Sequence, residues 1–135
     1  MAVGEDYFPK MYPVPGFKIG VASAGIKSVG KKDLVVMEMI EGSSIAGFFT
    51  KNSFCAAPVQ LSKKYIYSTK SRYLVTNTGN ANAGTGEIGK KNAESVCQAL
   101  GDIAGVKKEA VLPFSTGVIG EHLPVQKIIS ALPLA

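Results

Sequence analysis

Two short polar stretches, each placed directly after an apolar run, contain the residue types that could take part in chemistry. The first is Asn77 to Gly86 (NTGNANAGTG), and the second is Ser115 to Gly120 (STGVIG). Neither stretch contains Asp, Glu, His, Lys, Cys or Tyr, so neither supplies its own acid or base near neutral pH. Hydroxyl and backbone N–H groups can instead stabilise an oxygen atom that becomes negative during a reaction.

Thr116 and Gly117 are the candidate donors of the second stretch. Glycine has no Cβ, so its backbone N–H can approach a ligand closely, and Thr116 adds a hydroxyl. One such donor contributes roughly 3–4 kcal/mol to transition-state stabilisation in a protease. From the residue types alone, a structural turn whose hydroxyls, including that of Ser115, bond to nearby backbone is the favoured alternative.

The first stretch precedes a predicted helix and could either bind a substrate or support the neighbouring loop. Its candidate residues are Asn77, Gly79, Asn80 and Asn82. Asparagine bonds to nearby backbone groups and tolerates left-handed conformations, and a helix N-terminus attracts anions. The stretch is neither a Walker A loop nor the Gly-x-Gly-x-x-Gly dinucleotide motif.

The usual catalytic side chains are scarce in this sequence. His122 is the only histidine, and its surroundings are typical of a surface residue. Glu38 lies alone within an apolar run, where it could face solvent or have a buried partner. Cys55 and Cys97 are far apart and lie in no Cys/His cluster, so no metal site is predicted.

Apolar patterning predicts the elements that position these stretches. The run 33–40 reads as a buried strand, with 45–50 as its hairpin partner and 56–62 as a third strand. A further strand at 72–77 leads through the first polar stretch into a helix whose apolar spacing is 3.6 residues.

The expected N-cap of that helix is Thr85 and its expected stop is Gly105. A strand at 109–114 and a last helix from about Val125 follow, so residues 72–114 are predicted to form a βαβ unit. The two polar stretches would then meet at one edge of a sheet, where ligands bind in open α/β folds.

The composition fits one domain over residues 1–135, with an extended lead-in over 1–18. Apolar residues make up 46%, which indicates either a well-filled core or surface buried against another chain. The net charge is +5, but the lysines are scattered in pairs without interleaved aromatic residues, so nucleic-acid binding is not predicted. No segment is apolar enough for a signal peptide or a membrane span, and a cytoplasmic location is expected.

Four segments together resemble the N-terminal part of the ornithine acetyltransferase family, the bifunctional glutamate N-acetyltransferases of arginine biosynthesis. They are AGIKSVGKKDLVVM, IAGFFTKNSFCAAPVQLS, LVTNTGNANAGTGEIG and FSTGVIGEHLPVQKI. The resemblance covers residues from about Gly16 to Ile129. It implies an α/β (α+β) fold, with a mixed sheet and flanking helices, that forms the N-terminal part of a self-processing protein.

The resemblance also implies a mechanism. Members of this family cleave themselves before a threonine, and the new N-terminal threonine of the β chain is the nucleophile. Acetyl passes from N-acetylornithine to glutamate by a ping-pong route without a cofactor. Thr116 and Gly117 then correspond to the oxyanion hole. The implied partner is the β chain of the same precursor, and αβ pairs are expected to assemble as a heterotetramer.

Three hypotheses follow from these residues. The chain could be a truncated α-chain portion of such an acetyltransferase, inactive alone because the nucleophile lies beyond Ala135. It could be a non-catalytic fragment or a stand-alone binding module that keeps the fold without the reaction. It could also be a relative such as a self-processing aminopeptidase, although the NTGNAN and STGVIG segments favour the first hypothesis over this one.

Overall fold

The computed structural model describes residues 9–135, so the first eight residues of the predicted lead-in lie outside the described residues. Four strands are present in this part: β1 (Phe17–Ala22), β2 (Leu34–Met39), β3 (Tyr73–Asn80) and β4 (Val111–Val118). The helices are α1 (Ala57–Tyr65), α2 (Gly86–Ala104) and α3 (Val125–Ala131). Short 3-10 turns precede β4 (Lys108–Ala110) and follow α3 (Leu132–Leu134).

The four strands form one mixed sheet in the order β1-β2-β3-β4. The first two pairings are antiparallel, and β3 and β4 are parallel. The parallel pair is joined through α2, which confirms the predicted βαβ unit. The mixed sheet with its helices confirms the predicted fold class.

The hairpin partner of β2 was predicted wrongly. β2 itself matches the predicted strand, but it pairs with β1, in a register that joins Phe17 to Met39, rather than with residues 45–50. That segment contains no strand and lies over the sheet beside a cavity. β1 alternates exposed Ile19 and Val21 with Gly20 and Ala22, a period-two pattern that suits a strand. The last two residues of the predicted lead-in therefore belong to the sheet.

The segment 56–62, predicted as a strand, is instead the N-cap Ala56 and the first six residues of helix α1. Pro58 is the reason for the ambiguity, because proline suits both an edge strand and the first turn of a helix. Here it occupies the first turn, where its missing N–H costs no hydrogen bond. Burial of Ala57, Leu61 and Tyr65 at a spacing of four shows a helical face packed on the core.

The helices cover one face of the sheet. Leu34, Val75 and Val111 point from that face into the core, where they meet Cys97 and Leu100 of α2. The opposite face is apolar and partly open, with its members Ile19, Val21 and Phe114 exposed by 59%, 40% and 45%. No helix within residues 9–135 is long and apolar enough to cross a membrane.

Candidate active site

The two polar stretches meet where the parallel strands β3 and β4 end. Asn77 lies beside Ser115, Thr78 beside Thr116 and Gly79 beside Gly117. Both strands run further than the apolar pattern indicated, so the stretches are partly strand rather than loop, with an irregularity at Gly79–Asn80. Their meeting at one sheet edge was predicted.

A hydrogen bond between side chains joins the two strand ends directly. The Ser115 hydroxyl donates to Asn77 Oδ1 at 2.6 Å. The Asn77 amide donates in turn to the Asn80 carbonyl at 2.9 Å, which fixes the irregular end of β3. Asn77 is 5% exposed, so water has little access to these bonds.

Asn80 and Asn82 extend this network to the segments on both sides. Asn80 Oδ1 accepts from the Asn82 N–H at 2.7 Å, and its amide donates to the Glu121 carbonyl at 3.1 Å. The fully buried Asn82 donates to the Gly89 carbonyl in α2 at 2.8 Å and accepts from the Thr85 hydroxyl at 2.9 Å. In each of these three buried amides both the oxygen and the nitrogen have a hydrogen-bond partner within the protein, so the geometry favours loop support over substrate binding.

The predicted ends of α2 agree with the structure, in which Thr85 is the N-cap and Gly105 the C-cap. The helix begins after Thr85 and ends at Gly105, which adopts φ 68° in the left-handed region. The Thr85 hydroxyl makes no capping bond to the helix and bonds Asn82 instead. Gly89 leaves room for this contact, because a Cβ there would lie 2.7 Å from Asn82 Oδ1.

Gly117 packs directly against the backbone of β3 at Gly79 and Asn80. It has φ 135°, a conformation that side chains disfavour. A Cβ at this position would overlap the Gly79 carbonyl carbon and lie only 2.5 Å from the Asn80 nitrogen. Glycine is therefore required here both by conformation and by space.

Thr116 is exposed, as is Gly117, so the candidate donors are accessible. Thr116 and Ser115 line one end of a cavity of about 590 Å³, between the sheet, α1 and residues 45–50. Its remaining walls are mainly apolar, with Phe49, Val59 and Leu112 among them. A cavity of this size can accommodate a small ligand next to the Thr116 hydroxyl.

The other candidate side chains differ in their surroundings. His122 is exposed. Glu38 has partners: the Lys18 ammonium at 3.2 Å and the Tyr73 hydroxyl at 3.1 Å lower the pKa of its carboxyl. Cys97 is fully buried, and this burial raises the pKa of its thiol to about 12, so it is no nucleophile. Cys55 is a half-buried free thiol.

The Asn82 network leads to a stability prediction. In Asn82→Ala the Gly89 carbonyl and the Thr85 hydroxyl lose their partner, and alanine must adopt φ 46°. We expect the free energy of unfolding to fall by about 2–4 kcal/mol, measured by urea titration. Asn52→Ala is the control, since Asn52 is exposed and accepts a single local bond. Equal effects of the two substitutions would contradict a structural role for Asn82.

Comparison with known proteins identifies relatives over the whole chain. The sequence model of the ArgJ family matches residues 18–135. The arginine biosynthesis bifunctional protein ArgJ of Pseudomonas syringae pv. tomato is 60% identical over 135 residues, which are all of this chain and 33% of the relative. The protein of the same name from Pseudomonas fluorescens is 57% identical with the same coverage. The chain thus spans about a third of the length of these curated relatives.

Solved structures agree with this assignment. Ornithine acetyltransferase from Mycobacterium tuberculosis, determined with ornithine, superposes with a TM-score of 0.83 at 30% identity, over 87% of this chain and 64% of that one. The arginine biosynthesis bifunctional protein argJ of Bacillus halodurans superposes with a TM-score of 0.80 at 31% sequence identity. The match covers 86% of this chain and 61% of that one. By sequence and by fold, this chain belongs to the ArgJ family, as its N-terminal portion.

Proposed function

We propose that this chain forms the oxyanion-hole portion of an acetyltransferase that moves acetyl from N-acetylornithine to glutamate. The observation that carries the proposal is that the exposed residues Thr116 and Gly117 follow one another near the end of β4, next to the parallel strand β3, and that Thr116 lines a cavity. The names of the relatives support it, since they describe bifunctional proteins of arginine biosynthesis and an ornithine acetyltransferase.

In the proposed reaction, a threonine hydroxyl outside this chain attacks the acetyl carbonyl carbon of N-acetylornithine. The carbonyl oxygen becomes negative in the tetrahedral intermediate, where the Thr116 hydroxyl and the Gly117 N–H would donate hydrogen bonds to it. The C–N bond then breaks, and the ornithine nitrogen leaves with a proton. In the second half-reaction the glutamate amine attacks the carbonyl carbon of the acetyl-threonine ester and forms a similar tetrahedral intermediate in the same oxyanion hole. The ester C–O bond then breaks, and the threonine oxygen takes up the proton that the glutamate amine releases.

The nucleophile and its amine base would come from the remaining two-thirds of a protein as long as the relatives. In this proposal that part is the β chain of the same precursor, and αβ pairs assemble as a heterotetramer in the cytoplasm. The half-exposed apolar face with Ile19, Val21 and Phe114 is consistent with a further layer of protein, because apolar surface in water forfeits about 25 cal/mol per Å².

A hybrid enzyme tests the proposal. Residues 1–135 of this chain replace the matching third of the Pseudomonas syringae relative, to which they are 60% identical. We expect the hybrid to cleave itself and to form N-acetylglutamate from N-acetylornithine and glutamate. The unmodified relative is the positive control, and this chain alone is expected to show no turnover.

A folded hybrid without acetyl transfer would contradict the proposal and favour the alternative of a binding module that has lost the reaction. Folding is checked independently by circular dichroism and by the assembly state of the hybrid. Turnover by the isolated chain would show that the nucleophile lies within residues 1–135 instead.

A further inference from the structure

Asp33 is a buried carboxylate outside the asparagine network, and sequence patterns did not single it out. It is 6% exposed and immediately precedes β2. Its two oxygens accept from the Ala24 N–H at 2.6 Å and from the Ile26 N–H at 2.7 Å. A carboxylate is costly to bury unless its oxygens are bonded, and hydrogen bonds to an ionised acceptor are strong. Asp33 therefore fixes the turn 24–26 firmly to the start of β2.

This turn packs against the end of β3 at Gly79. A Cβ on Gly79 would lie 3.3 Å from Ile26 Cγ2 and 3.2 Å from Lys27 Cβ, so the two segments are in close contact. The other neighbour of Gly79 is Gly117, whose backbone approaches it too closely for any side chain. The side chains of Ile26 and Lys27 thus lie on the backbone at the end of β3, and that backbone lies against the end of β4.

Asp33 also bonds β3 through its own backbone. Its carbonyl accepts from the Thr78 N–H at 2.9 Å, one residue before Gly79. The side chain and the main chain of one residue therefore connect the turn to the strand end that determines where Gly117 lies. Neither Gly79 nor Gly117 has a side chain that could absorb a displacement, so a shift of the turn is transmitted through the end of β3 to the end of β4.

We propose that Asp33 is a positioning residue for the oxyanion hole. It sets the position of the Gly117 N–H through the turn 24–26, the adjoining Lys27, and Gly79. The proposal rests on the role of Gly117 in the proposed function. Donors of this kind must be held within about 0.5 Å of the productive geometry by the residues around them. Asp33 touches neither substrate nor reacting atoms, and acts only by holding the turn 24–26 against the end of β3.

The direct test is a ¹⁵N NMR comparison on this chain. Asp33→Asn keeps the shape but replaces one acceptor oxygen with an NH₂ group that faces an N–H. The matched control is Asp102→Asn, which removes a carboxylate on the exposed side of α2 that accepts from Gln98. We expect the Gly79 and Gly117 amide peaks to move in D33N and to stay in place in D102N. If D33N does not fold, Ile26→Ala, which trims the contact with Gly79, is expected to move the same two peaks.

Shifts confined to the turn 24–26, with Gly117 unmoved, would overturn the proposal, since Asp33 would then be a local turn residue. In the hybrid enzyme, D33N should lower kcat about tenfold with KM for N-acetylornithine unchanged, because a misplaced donor affects the transition state. An unsubstituted hybrid without activity would refute the proposed function, whereas the NMR result would still decide the positioning role.

Discussion

Replacing Gly117 with alanine is expected to lower both the stability of this chain and the turnover of the hybrid enzyme. The added Cβ would overlap the Gly79 carbonyl carbon and lie 2.5 Å from the Asn80 nitrogen, both of them backbone atoms. Backbone cannot yield as a flexible side chain can, so β3 and β4 must separate at their ends. Overpacking costs typically 1–3 kcal/mol, and the positive φ of 135° adds strain of the same order.

The expected result for Gly117→Ala is a loss of about 3 kcal/mol in the free energy of unfolding of the chain. In the hybrid enzyme we expect kcat to fall at least about 10²-fold, because the N–H donor moves with the strand. Urea titration measures the first quantity and steady-state assay the second.

Gly105→Ala separates the strain of a positive φ from the effect of overpacking. Gly105 also has positive φ, but a Cβ there meets no atom within 4 Å. Its replacement should therefore cost only the conformational penalty, about 1 kcal/mol, and leave kcat unchanged. If Gly117→Ala and Gly105→Ala lowered the free energy of unfolding equally, the close packing of Gly117 against Gly79 would make no contribution to the loss.

The βαβ unit could be predicted because its signals are local. The apolar spacing of α2 and the stop at Gly105 belong to neighbouring residues, and a strand that precedes and one that follows a helix tend to pair in parallel. The same logic placed Thr116 beside the first polar stretch, as the register of β3 and β4 confirms.

The hairpin could not be predicted in the same way, because the partner of β2 depends on long-range packing. β1 carries Lys18 and Gly20, which weaken its strand signal, whereas residues 45–50 are apolar and aromatic. In the folded chain β1 pairs with β2, whereas the more apolar segment 45–50 lines the cavity.

The asparagine network and Asp33 were also beyond reach of sequence patterns. An asparagine side chain can donate or accept, so its role depends on which backbone groups the fold brings near it. Asn80 bonds residues 41 and 42 positions away, and Asp33 bonds N–H groups that precede it by seven and nine positions. The helix signal after Thr85 indicated where α2 starts, but not that Thr85 would bond Asn82.

Removing the Thr116 hydroxyl is expected to separate catalysis from stability. Thr116 is exposed, and its side chain takes no part in the bonds that join Asn77, Asn80 and Ser115. Thr116→Val keeps the shape and the β-branch while it deletes the donor. In the hybrid enzyme we expect kcat to fall by roughly 10²–10³-fold, with the melting temperature unchanged.

Thr116→Ser is the matched control, because it keeps the hydroxyl and removes only a methyl group. It should retain most of the activity, and the KM for N-acetylornithine should change little in both variants, since the donor acts on charge that develops after binding. A valine variant with normal kcat and a lowered melting temperature would instead make Thr116 a structural strand residue. The oxyanion would then be stabilised by the Gly117 N–H and by donors outside this chain. The only catalytic group of this chain would be that backbone N–H, which Gly79, the asparagines and Asp33 hold in place.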